Sequence, residues 1–271
     1  MSGLRLTLRG TPPGSVDCSP LAPDLLAGKS RKDIEAIELQ CGNRRLRVGE
    51  LFAVEGDDPN TVAFRGGSAR LLRIGAGMKS GSVTVEGECG DYLGFGMRGG
   101  AISIAGDAGA FAGSGMRAGR IEIRGNAGDF LGAALPGDRQ GMRGGAIVVH
   151  GSAGDRAGDR MRRGLILIKG NAGSYCGARV LAGTILVAGE AGYAPGYGLK
   201  RGTLLLERAP RELLPTFRDS GVHSLLFLAL LEKEMLREGG PFTAFLPLAG
   251  RVRRFCGDLA TGGAGEILVR V

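Results

Sequence analysis

From Gly77 to Glu207 the sequence repeats a 19-residue pattern almost without slippage. One copy, residues 96 to 114, reads GMRGGAISIAGDAGAFAGS, and copies begin at Gly77, Gly96, Gly115, Gly141, Arg160, Arg179 and Gly198. The step from 115 to 141 alone is longer, by the seven residues ALPGDRQ at 134 to 140. A unit this short cannot bury its own apolar face, so copies must stack and each must contact its neighbours.

The columns of the repeat say how. The seventh and ninth places are Val83/Val85, Ile102/Ile104, Ile121/Ile123, Ile147/Val149, Ile166/Ile168, Ile185/Val187 and Leu204/Leu206. Two inward residues around one outward residue describe a short strand with period two. Glycine flanks that strand in successive copies, for example at 100 and 106, where tight corners favour a residue without a Cβ. A second segment, carrying Tyr92, Phe111, Phe130 and Tyr175, reads as an aromatic-rich strand. Coils stacked ~4.8 Å apart through parallel strands predict an all-β fold, a right-handed parallel β-helix or solenoid. A β-sandwich would need hairpins rather than identical successive units.

The flanks differ. Residues 1–76 read as N-terminal strands and irregular opening rungs, with strands at 1–10, 37–40, 45–48, 51–55, 61–64 and 71–74 and a short helix capped by Ser30 and Asp33. Residues 77–208 are the regular repeat. Residues 209–271 hold an amphipathic helix, VHSLLFLALLEKEMLRE, with Leu225, Leu228, Leu231 and Leu236 inward, then strand, Gly-rich turn and strand. That capping helix is expected to cover the open end of the solenoid, where backbone groups are otherwise unpaired.

Composition excludes several classes. Glycine, 51 of 271 residues, does not recur at every third position as collagen requires, and the 43% of hydrophobic residues are too regularly placed for disorder. No signal-peptide pattern opens the chain, and the longest apolar run, 225 to 231, is too short to cross a bilayer. Five cysteines without CxxC spacing fit reduced thiols and a cytoplasmic location. The net charge of +8 suggests an anionic partner.

The third place of each copy carries Lys79, Arg98, Arg117, Arg143, Arg162, Leu181 and Lys200. Stacking would align these cations in a column about 29 Å long. The column is read either as a solvated face or as a groove for a polyanion or an acidic partner surface. The methionine column, Met78, Met97, Met116, Met142 and Met161, continues as Val180 and Leu199, which fits core packing rather than metal ligation. Asp91, Asp129 and Asp155, and separately Asp107, Asn126, Ser152 and Asn171, read as turn formers rather than metal ligands. Two distant histidines, His150 and His223, and no HExxH, CxxC or GxSxG motif leave no metal site and no catalytic residues to nominate. Few aromatics accompany the basic column, which argues against nucleic acid.

The grid GMRGGAISIAGDAGAFAGSGMRAGRIEIRGNAGDFLGA resembles the GXGXG β-helix shared by the C-terminal domain of glutamate synthase and the C subunit of formylmethanofuran dehydrogenase. The stretches LAPDLLAG near 21, VGELFAVEG at 48–56, LLPTFRDSG at 213–221 and GDLATGGAGEILV at 257–269, with the extra loop between Leu131 and Gly141, resemble the C-subunit pattern. The resemblance implies a non-catalytic scaffold subunit of a one-carbon complex. One candidate is the formyltransferase/hydrolase complex, which passes a formyl group from tetrahydromethanopterin to a furan carrier (methanofuran or methylofuran) and releases formate. The alternative is a molybdenum or tungsten formylmethanofuran dehydrogenase. The excess of Arg over Lys favours the first, through a GC-rich bacterial source. In either, the metal and transferase sites are expected on other subunits, and the basic column is expected to meet the carrier's glutamate-rich tail or a sister subunit. A free-standing adaptor solenoid is the rival from another class.

Overall fold

The computed structural model describes residues 3–271, so the first two residues of the strand expected over 1–10 lie outside the described residues, and the rest of it forms Gly3–Leu8. Most strands join one 13-stranded sheet. Its run from Gly3–Leu8 through Asp58–Arg65, Ser82–Glu86 and the repeat strands to Gly265–Arg270 is parallel throughout. Register follows the repeat: Ile102 pairs with Ile121, Ile121 with Ile147, and Ile147 with Ile166. The pair Ile121–Ile147 spans the longer step without a slip, so residues 134–140 are looped out. A one-residue slip would turn each isoleucine pair from the core to the surface, which is why the insertion has to leave the ladder entirely. A four-stranded sheet, Arg44–Arg47, Glu38–Cys41, Val16–Asp17 and Leu71–Leu72, lies among the opening segments. The Ser30–Asp33 capping box expected for the helix Arg31–Glu35 is formed.

Each copy also bonds to the next outside that sheet. Single parallel bridges connect Cys89, Ala108, Ala127, Ala153, Ala172 and Ala191 in succession. Further round the copy, the Tyr92 N–H donates to the Ala110 carbonyl at 2.9 Å and the Phe111 N–H to the Asp129 carbonyl at 2.9 Å. The aromatic segment is therefore not the strand expected from its composition. Tyr92, Phe111, Phe130 and Tyr175 sit in turns with φ of 63°, 59°, 62° and 59°. Aromatic preference for strands reflects packing on a neighbour more than backbone bias. Here the packing comes from rings on successive turns: Phe111 and Phe130 stack with centroids 4.7 Å apart and planes 3° apart.

The interior is apolar. The methionine column is fully buried, and Val180 and Leu199 continue it at 2% and 1% exposure, as core packing requires. Two glycine columns are needed for different reasons. Gly145 has φ +87°, and a Cβ there would meet the Gly119 carbonyl and the Met116 Cε, each at 2.7 Å. Gly125 needs no positive φ, but its Cβ would fall 2.2 Å from Asp107 Oδ1, which passes across it to the next copy.

The helix Leu226–Glu238 does not cover the end of the stack, contrary to the expectation from sequence. It lies on the outward face of the sheet, where Leu228 and Met235 pack with Val148, Leu167, Leu186 and Leu205. The end is taken by strands instead: Gly265–Arg270 adds in parallel to Thr203–Leu206, and Arg251–Gly257 and Arg218–Ser224 follow antiparallel. The inward set also shifts. Leu228, Leu231 and Met235 stand three and four apart, whereas Leu236 is about 100° further round and 57% exposed. The sheet-facing partners are the residues between the paired aliphatics, polar at Thr84, Ser103 and Glu122 but apolar from Val148 onward.

Candidate functional site

The basic column forms as its spacing predicts. The Arg98 N–H donates to the Met78 carbonyl, Arg117 to Met97, Arg143 to Met116 and Arg162 to Met142, at 2.8, 2.7, 2.7 and 2.8 Å, so each cation follows the last by one copy. Lys79, Arg98, Arg117, Arg143, Arg162 and Lys200 are all exposed, and Leu181 interrupts them. Among the described residues Arg98, Arg117, Arg143 and Arg162 make no ion pair, while Lys200 Nζ donates to the Thr261 carbonyl at 2.6 Å. Neighbouring unit charges ~4.8 Å apart repel by ~0.9 kcal/mol in water. A row of unneutralised guanidinium groups is an arrangement that an anion relieves.

At Leu181 the column opens into a concavity of 490 Å³ lined by Gln140, Arg162, Arg163, Leu181, Ala182, Lys200 and Arg201. Sequence reasoning took only the third place of each copy. Arg163 and Arg201 stand in the fourth place, and their signal was a basic residue where other copies have small ones.

A second cluster was missed. Arg156, Asp159, Arg160 and Arg179 gather beneath the looped-out residues, with Phe130, Ala134, Leu135, Pro136 and Gly137 completing a pocket of 260 Å³. Asp159 is 4% exposed. Arg179 holds it with two hydrogen bonds, one from Nε at 2.9 Å and one from Nη2, and Arg156 lies 3.7 Å away. Those bonds push the Arg179 guanidinium pKa further up. Arg160 donates to the Asp138 carbonyl at 2.7 Å and so ties the loop to the stack. Arg156, Arg160 and Arg179 have φ of 59°, 56° and 53°. The available signal was arginine at 160 and 179, in the column that is glycine in the other five copies.

The polar columns have a structural use that turn chemistry did not anticipate. Asp107 Oδ1 accepts from the Asn126 N–H at 2.6 Å, Asn126 Oδ1 from Ser152 N–H at 2.9 Å, and Ser152 Oγ from Asn171 N–H at 3.0 Å. Asp91 and Asp129 likewise accept from Ala110 and Asp155, both at 2.8 Å. These side chains bond the next copy rather than their own turn. His150 lies 3.1 Å from Glu122, and His223 pairs with the Ser220 carbonyl at 2.8 Å. Among the described residues no group of three or more His, Cys, Asp or Glu side chains could hold a metal ion, and no helix is long and apolar enough to cross a membrane. Burial pushes the thiols of Cys89 and Cys176 up to about 12, far from nucleophilic use near neutrality.

With this geometry in view, one solved structure matches nearly the whole chain: the X-ray crystal structure of the formyltransferase/hydrolase complex (FhcABCD) from Methylorubrum extorquens in complex with methylofuran. The TM-score is 0.92 and the identity 40%, covering 98% of this chain and 99% of that one. The C subunit of the Fhc complex of the same organism is 42% identical over 93 residues, 34% of each protein. The chain belongs to the C-subunit family of formyltransferase/hydrolase complexes and formylmethanofuran dehydrogenases. A more distant relative is the C subunit of the tungsten-containing formylmethanofuran dehydrogenase 2 of Methanothermobacter thermautotrophicus, 35% identical over 99 residues, 35% of this chain and 37% of the relative. The matched stretches thus span about a third of these curated relatives. No family model matches the chain. The match to a chain of the FhcABCD complex runs through the flanks as well as the repeat.

Proposed function

We propose that this chain is a non-catalytic scaffold subunit of a formyltransferase/hydrolase complex, wound as a right-handed parallel β-helix on which its sister subunits assemble. In this reading the complex converts formyl-tetrahydromethanopterin to formate through a formylated furan carrier, and does so in the cytoplasm. The observation that carries it is the 40% identity over 98% of the chain to a chain of a complex of that name. Three ladders between successive copies support the coiled path. The transferase and the hydrolytic metal belong, in this proposal, to other subunits, and this chain binds no cofactor of its own. Lys79, Arg98, Arg117, Arg143, Arg162 and Lys200 would dock the anionic carrier tail or an acidic sister surface.

The higher identity to the Fhc relative than to the tungsten enzyme's relative favours this complex over a formylmethanofuran dehydrogenase. The test is formate release from formyl-tetrahydromethanopterin by extracts of the source cells. Deleting this chain should abolish it, and restoring the chain should bring it back, while the purified chain alone releases none. Full activity in the deletion strain would contradict the assignment.

A further inference from the structure

The arginine cluster beneath residues 134–140 is not accounted for by the basic column. Two features of it are costly unless used. Arg160 and Arg179 occupy a left-handed backbone position where Gly77, Gly96, Gly115 and Gly198 are strain-free, with φ of 56° and 53° against 62° to 69° for those glycines. Non-glycine residues in that region cost of order 1 kcal/mol each and persist where the surroundings or function demand them. The cluster is also unbalanced in charge: three arginines line a pocket that holds one nearly buried carboxylate, and only Arg156 and Arg179 pair with it.

Arg179 is committed to Asp159 by two bonds. Arg160 donates to a neutral carbonyl, and Arg156 is aligned by the Tyr175 ring, 4.8 Å from its centroid. Arg156 shares Asp159 with Arg179 through its 3.7 Å ion pair, so Arg160 has no acidic partner among the described residues and the three arginines outnumber the one carboxylate. Phe130, Leu135 and Pro136 supply the apolar part of the lining. A lining that combines guanidinium donors with apolar surface suits a carboxylate carried on a short aliphatic stem, since guanidinium groups bind carboxylates through paired parallel bonds. At 260 Å³ the pocket is smaller than the roughly 300–1,000 Å³ that accommodates larger ligands.

We propose that Arg156 and Arg160, under the roof of residues 134–137, form a binding site for an aliphatic carboxylate, with Arg179 neutralising Asp159 so that the acid does not repel the ligand. This site is separate from the basic column and does not rest on the function proposed above.

The test is calorimetric titration of the full chain with succinate and with inorganic phosphate, on the natural protein and on Arg160→Gly. Glycine is the residue that five other copies carry there, so the variant should fold, with relief of the left-handed strain offsetting loss of the bond to the Asp138 carbonyl. Succinate is expected to bind the natural protein, phosphate more weakly because it lacks a stem, and Arg160→Gly should weaken succinate at least tenfold. A parallel Arg201→Ala variant, altered in the neighbouring concavity, should bind succinate as the natural chain does. Absence of succinate binding, tighter binding of phosphate, or equal binding in Arg160→Gly would each overturn the proposal.

Discussion

Replacing Arg117 and Arg143 together by Glu separates a binding role of the basic column from a structural one. The four unpaired arginines 98, 117, 143 and 162 form three neighbouring like-charge contacts. At ~4.8 Å in water these sum to ~2.6 kcal/mol of repulsion. In the double variant two contacts become attractive and one, Glu against Glu, stays repulsive, a total near −0.9 kcal/mol. The full swing of ~3.5 kcal/mol is an upper limit, because exposed side chains splay and screening at physiological salt acts over about 8 Å. Measured surface pairs fall near 0–1 kcal/mol, so the free chain should be stabilised by no more than about 1 kcal/mol, or about 2 °C in melting temperature. Binding should move the other way. Association of the variant with its sister subunits or carrier should weaken tenfold or more at 50 mM salt, with the deficit shrinking towards 0.5 M. Calorimetric melting and salt-dependent titration read the two effects separately. A variant that melts markedly lower, or that assembles and turns over unchanged, would refute the reasoning.

Three further outcomes follow from the core. Gly145→Ala should cost roughly 1–3 kcal/mol, seen as a lower denaturation midpoint, because its Cβ meets both the Gly119 carbonyl and Met116 at a left-handed position. Ile147→Ala, with its side chain fully buried in the parallel ladder, should cost about 2–5 kcal/mol by the same measurement. The Cys89 and Cys176 thiols should resist disulfide reagents at pH 8 in the native chain. Their folded-state pKa is raised from 9.0 to about 12, so the stability they contribute is fully present below pH 9 and is lost as pH rises towards 12.

The parts of the fold readable from sequence are those in which a residue's role repeats. Paired aliphatics seven and nine places into each copy meet identical neighbours, so period alone set strand and register, and the insertion announced itself by breaking the period. What the pattern hid depended on contacts between unlike parts. The aromatic column looked like a strand because ring packing raises β propensity, yet its rings stack from turns. The helix Leu226–Glu238 showed an apolar face without saying what it covers. The matching signal, the change from Glu122 to Val148, Leu167, Leu186 and Leu205, lay in outward positions that a core-directed reading passes over. For the same reason the basic column was legible, whereas Arg156, Asp159 and Arg160 were not. Each is a departure from its column, and only folding brings them under residues 134–140.

The most direct test of the chain's role is native mass spectrometry of the affinity-tagged chain purified from its own cells at low salt. Co-elution at fixed stoichiometry with formyltransferase and metal-dependent hydrolase subunits is the predicted result. A monomer or a homo-oligomer free of such subunits, in cells where both are expressed, would contradict it.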